Sequence, residues 1–246
     1  MKTKVWAHRG ASGYMPENTL PSFQKAVELG ADGVELDIQL SKDGEIVVCH
    51  DEMVDRTSNA KGWLKDYTLA ELKEMDFSYQ FKELGKVSIP TMKEVFELLK
   101  PTNLIINIEL KTGIFDYEGI EEKIIALTHA EGFEDRVIYS SFNHYSIMKI
   151  QELDPNAKTA FLYSDGPLDM PLYGYEHHVN ALHPAAYNLR LPDFMEECNV
   201  YHLDVNVWTV NTEEIALMCL KYGVNTLITN YPDRIKKVVE QYETGI

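Results

Sequence analysis

Eight short runs rich in β-branched and apolar residues recur along this chain of 246 residues, and most are separated by stretches with helical spacing. The runs lie at 4–8, 33–40, 104–110, 137–142, 159–163, 180–184, 205–210 and 226–230. Gly30, Gly132 and Gly223 each stop a predicted helix just before a strand, and Thr91 with Glu94 has the pattern of a helix N-terminal capping box. This alternation predicts an α/β fold of the (β/α)8 TIM-barrel type, with a doubly wound open sheet as the alternative.

One connection is too long for a simple strand-helix unit. The second and third runs place their inner ends at about residues 37 and 109, which are 72 positions apart, whereas the other gaps span 20 to 32. The surplus predicts an inserted segment at about 41–88 within a single domain of residues 1–246. Because the insertion follows a strand, we expect it at the C-terminal face of the barrel, where barrel enzymes keep their active sites.

The start of that insertion has the pattern of a β-hairpin. Asp43 and Gly44 stand between two runs of alternating apolar residues, and this pair favours a two-residue turn. In that register Asp37 lies directly opposite His50, and directly opposed residues share a face.

Three carboxylates are predicted at the inner ends of two strands. Glu35 and Asp37 are two residues apart, so both point to one face about 7 Å apart, and Glu109 points inward from the next strand by the same rule. Such acids are strongly destabilising in a low-dielectric site unless they are paired, so we expect one divalent cation there. Oxygen ligands favour Mg²⁺ or Ca²⁺ over zinc. Pairing with Arg9 and Lys111, or exposure to solvent, is the alternative.

Two histidines accompany the acids. His8 ends the first strand, and His50 faces Asp37 in the predicted hairpin. Two imidazoles that titrate near neutrality can act as a general acid and a general base on one reaction. Arg9 could bind a phosphate oxygen and Lys111 adds a positive charge. Together these groups favour cleavage of a phosphoester.

The charge and the cysteines exclude other classes of protein. The chain has 39 acidic and 23 basic residues, a formal net charge of −16, which repels nucleic acids and anionic lipids. Three widely spaced cysteines argue against a disulfide framework or a Cys-x-x-Cys metal site. The sequence starts without the apolar segment of a signal peptide, and no apolar run approaches the roughly 20 residues that span a bilayer. We therefore expect a cytoplasmic protein without nucleic-acid partners or integral membrane association. The sequence does not indicate its oligomeric state.

Three segments in a fixed order carry a resemblance to a known family. They read AHRGASGYMPENTLPSF at 7–23, GVELDIQLSKDGEIVVCHD at 33–51 and NIELK at 107–111. In this order and spacing they resemble the signatures of the glycerophosphodiester phosphodiesterases. Weaker agreement continues in SSFN, VWTVN and ITNYPD, which start at residues 140, 207 and 228, so the resemblance spans essentially the whole chain.

The resemblance implies a TIM barrel with a small element inserted after the second strand, and a role for most of the residues above. It implies a divalent cation on Glu35, Asp37 and Glu109, catalysis by His8 and His50, and phosphate contacts from Arg9 and Lys111. It also implies that Phe142 and Trp208 face the glycerol or alcohol group, although ordinary barrel packing would explain them equally well. Glu17 is expected to support Arg9 or a metal ligand, while Asn18 or Thr19 could simply cap a helix. Asn230 stands where relatives often carry Asp, so its role is open.

The implied activity is metal-dependent hydrolysis of a small glycerophosphodiester to glycerol-3-phosphate and a free alcohol. One alternative is a lysophospholipid-cleaving enzyme of the same fold, which would use aromatic and apolar residues of the insertion as a lipid surface. Those residues are Trp63, Leu64, Tyr67, Phe77, Tyr79 and Phe81, and a small satellite core explains them as well. A catalytically inactive phosphate-binding barrel and a sugar-phosphate isomerase would also fit the fold, although every acid and histidine expected of the phosphodiesterase is present.

Overall fold

The computed structural model describes residues 2–245, which contain nine strands and nine α-helices. The strands are β1 (Lys4–His8), β2 (Gly33–Leu40), β3 (Ile46–Val48), β4 (Ile105–Leu110), β5 (Val137–Ser141), β6 (Lys158–Tyr163), β7 (Ala181–Pro184), β8 (Asp204–Val207) and β9 (Thr226–Thr229). The α-helices are α1 (Leu20–Glu28), α2 (Leu69–Glu74), α3 (Met92–Leu99), α4 (Ile120–Glu131), α5 (His144–Leu153), α6 (Met170–Glu176), α7 (Phe194–Val200), α8 (Glu213–Tyr222) and α9 (Pro232–Thr244). Short 3₁₀ helices lie at Leu64–Asp66, Lys82–Leu84 and Ala186–Arg190.

Eight parallel strands close into a barrel. Strand β1 pairs with β2 on one side and with β9 on the other, and the remaining strands follow in chain order around the ring. Strand β3 pairs antiparallel with the end of β2 and lies outside the ring. The fold is therefore a (β/α)8 TIM barrel, as the alternation predicts, and not an open sheet.

Residue periodicity explains how the strands and helices pack. On β4, Ile106 and Ile108 point outward into the main hydrophobic cluster, while Asn107 alternates with them and faces the barrel interior. Helix α3 buries Met92, Val95, Phe96 and Leu99, which are three or four residues apart and form one apolar face. Its capping box is present, with the Thr91 side chain accepting from the backbone N–H of Glu94, which confirms the predicted start of this helix.

The predicted hairpin register is wrong by one residue. Ile38 pairs with Val48 and Leu40 with Ile46, and the Ser41 backbone N–H donates to Glu45 O at 3.0 Å. The turn therefore has three residues, 42–44, and ends at a glycine with φ of +80°. A three-residue turn that ends in the left-handed region needs glycine as much as a two-residue turn does, so the Asp-Gly pair predicts a turn without fixing its length.

The shifted register changes the neighbours of Asp37. Its backbone carbonyl accepts from the Cys49 N–H at 2.9 Å, so Cys49, and not His50, lies opposite Asp37. The ladder ends at Val48, and the following loop leaves the strand direction. That departure, rather than strand pairing, decides where the His50 side chain lies.

Residues 41–88 lie between β2 and α3 and have a small hydrophobic cluster of their own. Val47, Leu64, Leu72 and Phe77 are buried in it, together with Ile89 just after the segment. Trp63 is 41% exposed and packs edge-on against Phe115, with ring centroids 5.2 Å apart. For Leu64 and Phe77, the structure therefore favours a satellite core over a lipid-facing surface. Across residues 2–245, no helix combines the length and apolarity needed to cross a membrane.

Candidate active site

Three carboxylates meet at the C-terminal ends of β2 and β4. The two strands pair in parallel so that Asp37 lies beside Glu109. Glu35 lies two residues before Asp37 on β2, and its side chain points to the same face. Each acid offers one oxygen, and the three oxygens lie within 4.8 Å of one another. All three side chains are buried, with Asp37 fully inaccessible. A cluster of acids this close, away from water, is a strong reason for a bound cation.

The donor set fits a hard divalent cation. All three donors are carboxylate oxygens, and Asp37 Oδ1 is buried without a hydrogen-bond partner. Burial raises the pKa of Glu35 well above its usual value, and the neighbouring charges of Asp37 and Glu109 raise it further. Burial and Asp37 also raise the pKa of Glu109. These shifts have one physical cause, which is that the cluster lacks enough positive charge of its own.

Asp37 behaves differently because cations surround it. Burial alone would raise its pKa, but the positive charges of His50, Arg9 and Lys111 outweigh burial and hold the pKa of Asp37 below its usual range. The Asn18 side chain donates to Asp37 Oδ2 at 2.8 Å. Asn18 therefore contacts a predicted metal ligand, and the neighbouring Thr19 is the N-cap residue of α1.

Arg9 is held in a tight turn after β1. Its backbone has φ of 55°, and its N–H donates to Glu35 Oε2 at 2.9 Å. Its guanidinium donates to Glu17 Oε1 at 2.9 Å, which is the supporting contact that the sequence predicts for Glu17. Gly10 also has positive φ, +76°, and a Cβ there would lie 2.4 Å from Ser22 Oγ and 2.7 Å from the Ser22 carbonyl carbon. The glycine after Arg9 is therefore required by both conformation and space.

His8 is held by an amide. Its Nδ1 lies 2.7 Å from Asn230 Oδ1, and its Nε2 lies 3.9 Å from Glu35 Oε2. Burial and the charge of Arg9 lower the pKa of His8 to about 4, so the imidazole is neutral near pH 7 in the protein alone. This contact positions His8, whereas the sequence alone leaves the role of Asn230 open.

His50 is held by a carboxylate. Its Nδ1 lies 2.7 Å from Asp51 Oδ1, and its Nε2 lies 3.3 Å from Lys111 Nζ. The Lys111 ammonium also donates to Glu109 Oε1 at 2.9 Å. Arg56 Nε donates to the other Asp51 oxygen at 2.7 Å. Lys111 therefore bridges His50 and Glu109. His50 lies beside the acids as predicted, although the hairpin register used to predict its position is wrong.

Gln39 fixes the loop that carries His50. It is fully buried, and its Nε2 donates to Cys49 O at 2.8 Å and to Asp51 O at 2.9 Å, on either side of His50. Its Oε1 accepts from the Tyr117 hydroxyl at 2.7 Å. Sequence reasoning overlooks this residue, but an amide at a buried, inward-facing position of β2 is a signal that could have marked it.

A cavity of about 210 Å³ opens beside these groups. Among its lining residues are His8, Arg9, Glu35, His50, Glu109, Phe142 and Trp208. The rings of Phe142 and Trp208 pack edge-on with centroids 5.7 Å apart, and Phe142 is 45% exposed. The structure thus brings the predicted histidines, acids, cations and aromatic residues together at the C-terminal end of the barrel. The fold and this arrangement define a TIM-barrel protein with a candidate acidic metal centre between two histidines.

Comparison with known proteins identifies the family. The sequence pattern described as the glycerophosphoryl diester phosphodiesterase family matches residues 8–234. The chain is 43% identical to a glycerophosphodiester phosphodiesterase of Caldanaerobacter subterraneus subsp. tengcongensis, over 98% of this chain and 99% of that protein. It is 41% identical to one from Bacillus altitudinis, over 97% and 99% of the two chains. The chain therefore belongs to the glycerophosphoryl diester phosphodiesterase family, which is a family of enzymes.

Solved structures agree with the fold. A phosphodiesterase from Oleispira antarctica, in complex with the product sn-glycerol-3-phosphate, is similar with a TM-score of 0.86 and 29% identity, covering 97% of each chain. A glycerophosphodiester phosphodiesterase from Thermotoga maritima is similar with a TM-score of 0.78 and 30% identity, covering 97% of this chain and 99% of that one.

Proposed function

We propose that this protein hydrolyses glycerophosphodiesters to glycerol-3-phosphate and a free alcohol, with one Mg²⁺ or Ca²⁺ ion and two catalytic histidines. The observation that carries the proposal is the meeting of three buried carboxylates between His8 and His50. Relatives similar over nearly the whole chain are named for this reaction, and one similar structure holds sn-glycerol-3-phosphate.

The proposed division of labour follows from the contacts. A divalent cation held by Glu35, Asp37 and Glu109 would offset phosphate charge and lower the pKa of the attacking hydroxyl or water. Arg9 and Lys111 would bind phosphate oxygens, and Phe142 and Trp208 would pack against the glycerol carbons.

Each histidine has a partner suited to a proton-transfer role. His50 Nε2 takes the proton of the attacking group, and the Asp51 carboxylate on Nδ1 stabilises the imidazolium that forms. His8 gives a proton to the departing alcohol oxygen. The negative phosphate favours its protonated form and opposes the effect of burial. Attack by a glycerol hydroxyl, through a cyclic phosphate, and attack by water both use these groups.

The packing of the insertion favours a small diester over a lysophospholipid. Leu64 and Phe77, which could have served as lipid-facing residues, are buried in the insertion. An inactive barrel would lack at least one of the metal-binding acids or the two histidines, whereas this chain has all of them.

Two further proposals concern organisation and location. We propose that residues 1–246 form one phosphodiesterase domain with its insertion at 41–88. We also propose a cytoplasmic location, which is supported by three free, buried cysteines and the acidic composition.

The test is a panel of glycerophosphodiesters and lysophospholipids assayed after chelation and after return of Mg²⁺ or Ca²⁺. We expect hydrolysis of the small diesters to disappear with the chelator and to recover with one of the two ions. Full activity in excess chelator would rule out the carboxylate site, and cleavage of lysophospholipids alone would overturn the proposed substrate class.

A further inference from the structure

A second cavity, of about 220 Å³, lies next to the first. His8 and Arg9 line both cavities, so the two spaces meet at the groups proposed to contact the phosphate. The outer wall comes from the insertion, through Arg56, Tyr79 and Phe81. A phosphodiester has two alcohol arms. If the glycerol arm packs against the aromatic residues of the first cavity, the second cavity lies where the other arm leaves the phosphate.

The carboxylate of the second cavity is already fully engaged. Glu17 accepts from Arg56 Nη1 and Nη2 at 2.7 Å each, and from Arg9 Nη1 at 2.9 Å. Burial would raise the pKa of Glu17, but these guanidinium groups outweigh burial and lower it. Among the residues that line the cavity, two guanidinium groups therefore face one carboxylate, and that carboxylate is not free to pair with a cationic ligand. Asp51, which also accepts from Arg56, does not line the cavity.

Two of the three aromatic rings that line the cavity, those of Tyr79 and Tyr231, already have a cation near one face. The Arg56 guanidinium lies 6.0 Å from the centroid of the Tyr79 ring. The Arg234 guanidinium lies 4.7 Å from the centroid of the Tyr231 ring, which Tyr14 meets edge-on. An aromatic cage for an ammonium group needs several open ring faces, so Phe81 beside the partly covered Tyr79 and Tyr231 is poorly suited to form one. The remaining polar wall comes from Ser12, Gln80 and Asn230.

We propose that the second cavity binds the departing alcohol and selects an uncharged polyol, such as glycerol or inositol, against choline or ethanolamine. The inference rests on the proposed function and adds the substrate class to it. Hydroxyl groups can bond to guanidinium and amide groups without a free carboxylate. An ammonium headgroup would lie against two guanidinium groups and would find no free carboxylate in the wall.

The first experiment compares kcat/KM for glycerophosphoinositol and glycerophosphocholine on the metal-loaded protein. We expect a preference of about tenfold or more for the inositol diester, which corresponds to about 1.4 kcal/mol. A ratio near one, or a preference for choline, would overturn the inference while leaving the proposed function intact.

Arg56→Met tests the cause of the selection. The substitution removes the two Arg56 hydrogen bonds to Glu17, which leaves only the bond from Arg9, and it uncovers one face of Tyr79. We therefore expect the preference to move toward choline by about tenfold, mainly through a lower KM for that substrate. The matched control is Lys86→Met, which removes one positive charge from the insertion but does not line the cavity. An unchanged ratio in a folded Arg56→Met protein, or an equal change in the control, would overturn the inference.

A binding measurement separates the two proposals and does not depend on folding of the Arg56 variant. Calorimetric titration of His50→Ala protein with each diester reports binding without turnover. If wild-type protein hydrolyses neither diester but the variant binds the inositol diester about tenfold more tightly, the proposed function fails and the cavity assignment stands. Equal affinities for the two diesters would overturn the cavity assignment.

Discussion

At the scale of single residues, buried polar side chains position the groups proposed to react. Asn230 binds His8, Asn18 binds Asp37, and Gln39 binds the backbone on both sides of His50. None of these residues is itself a candidate acid, base or metal ligand. They replace water as hydrogen-bond partners in a buried site, and they reduce the conformational freedom of the groups they hold.

Replacing the histidines and an acid should separate catalysis from metal binding. His8→Ala and His50→Ala should each lower kcat by roughly 10²–10⁴-fold, because a positioned acid or base is lost. Calorimetric titration with Mg²⁺ or Ca²⁺ should show metal binding in both, whereas Glu35→Ala should lose it. Glu28→Gln, on an exposed acid of α1, is the control for the loss of a negative charge. Undiminished turnover in His50→Ala would contradict the proposed mechanism.

Gln39→Leu should reduce activity without touching a candidate catalytic group. It leaves the buried carbonyls of Cys49 and Asp51 without their donor, at a cost of about 1–3 kcal/mol for an unsatisfied group, and it loosens the His50 loop. We expect kcat to fall more than KM changes. Gln151→Leu, where the amide bonds Thr159 and His178 on the other side of the barrel, is the matched control. Equal losses of stability with unchanged kcat in both would show that Gln39 is only structural.

At the scale of elements, strand ends and the turns after them assemble the site. Parallel pairing of β2 with β4 puts Asp37 beside Glu109 without any loop contribution. The turn after β1 then aims the Arg9 backbone N–H at Glu35. Rigid strands therefore supply the acids, while turns and the insertion supply most of the groups that surround them.

Gly10→Ala should disturb this turn more than a comparable change elsewhere. A left-handed residue with a Cβ costs about 1–2 kcal/mol, and at Gly10 the added atom also meets Ser22. Gly132 is the matched control, since its φ is +74° and a Cβ there meets nothing within 4 Å. We expect urea unfolding to show a larger loss for Gly10→Ala, and activity to fall only there. Equal losses with full activity would contradict the role of this turn.

At the scale of the whole molecule, charge is divided between surface and site. The net charge of −16 belongs mostly to a solvated surface that keeps other polyanions away. At the barrel mouth, Arg9 and Lys111 lie against the three carboxylates, and Arg56 pairs with Glu17 and Asp51. A divalent cation held by the three carboxylates would offset the remaining negative charge there, and a phosphodiester could then approach an acidic protein.

A histidine inside the barrel should make stability depend on pH. His183 is fully buried, accepts from Asn206 Nδ2 at 2.9 Å, and has its pKa lowered by burial from 6.5 to about 3. The unfolded chain then binds the extra proton below pH 6.5. The contribution of His183 is fully present above that pH and is lost as pH falls toward 3, by at most about 1.4 kcal/mol per unit.

The measurement is urea unfolding of wild-type and His183→Gln protein from about pH 7 to about pH 5. We expect the free energy of unfolding to fall more steeply in the wild type, because glutamine does not titrate. The acids of the site titrate equally in both proteins and cancel in the difference. Parallel curves would contradict the prediction.

The sequence by itself determined the barrel and the inward acids of this protein. Strand runs, helix spacing and the two-residue periodicity of Glu35 and Asp37 are local properties, so neighbours along the chain encode them. The unusually long connection likewise predicts an insertion at about 41–88.

Only the tertiary structure decided how the remaining groups meet. The turn after β2 has one more residue than predicted, and His50 comes beside Lys111 because the chain leaves the ladder after Val48. The contact between His8 and Asn230 joins residues 222 positions apart. Such pairs depend on barrel closure and on the path of irregular loops. No local pattern specifies either, because their energy comes from packing against distant parts of the chain.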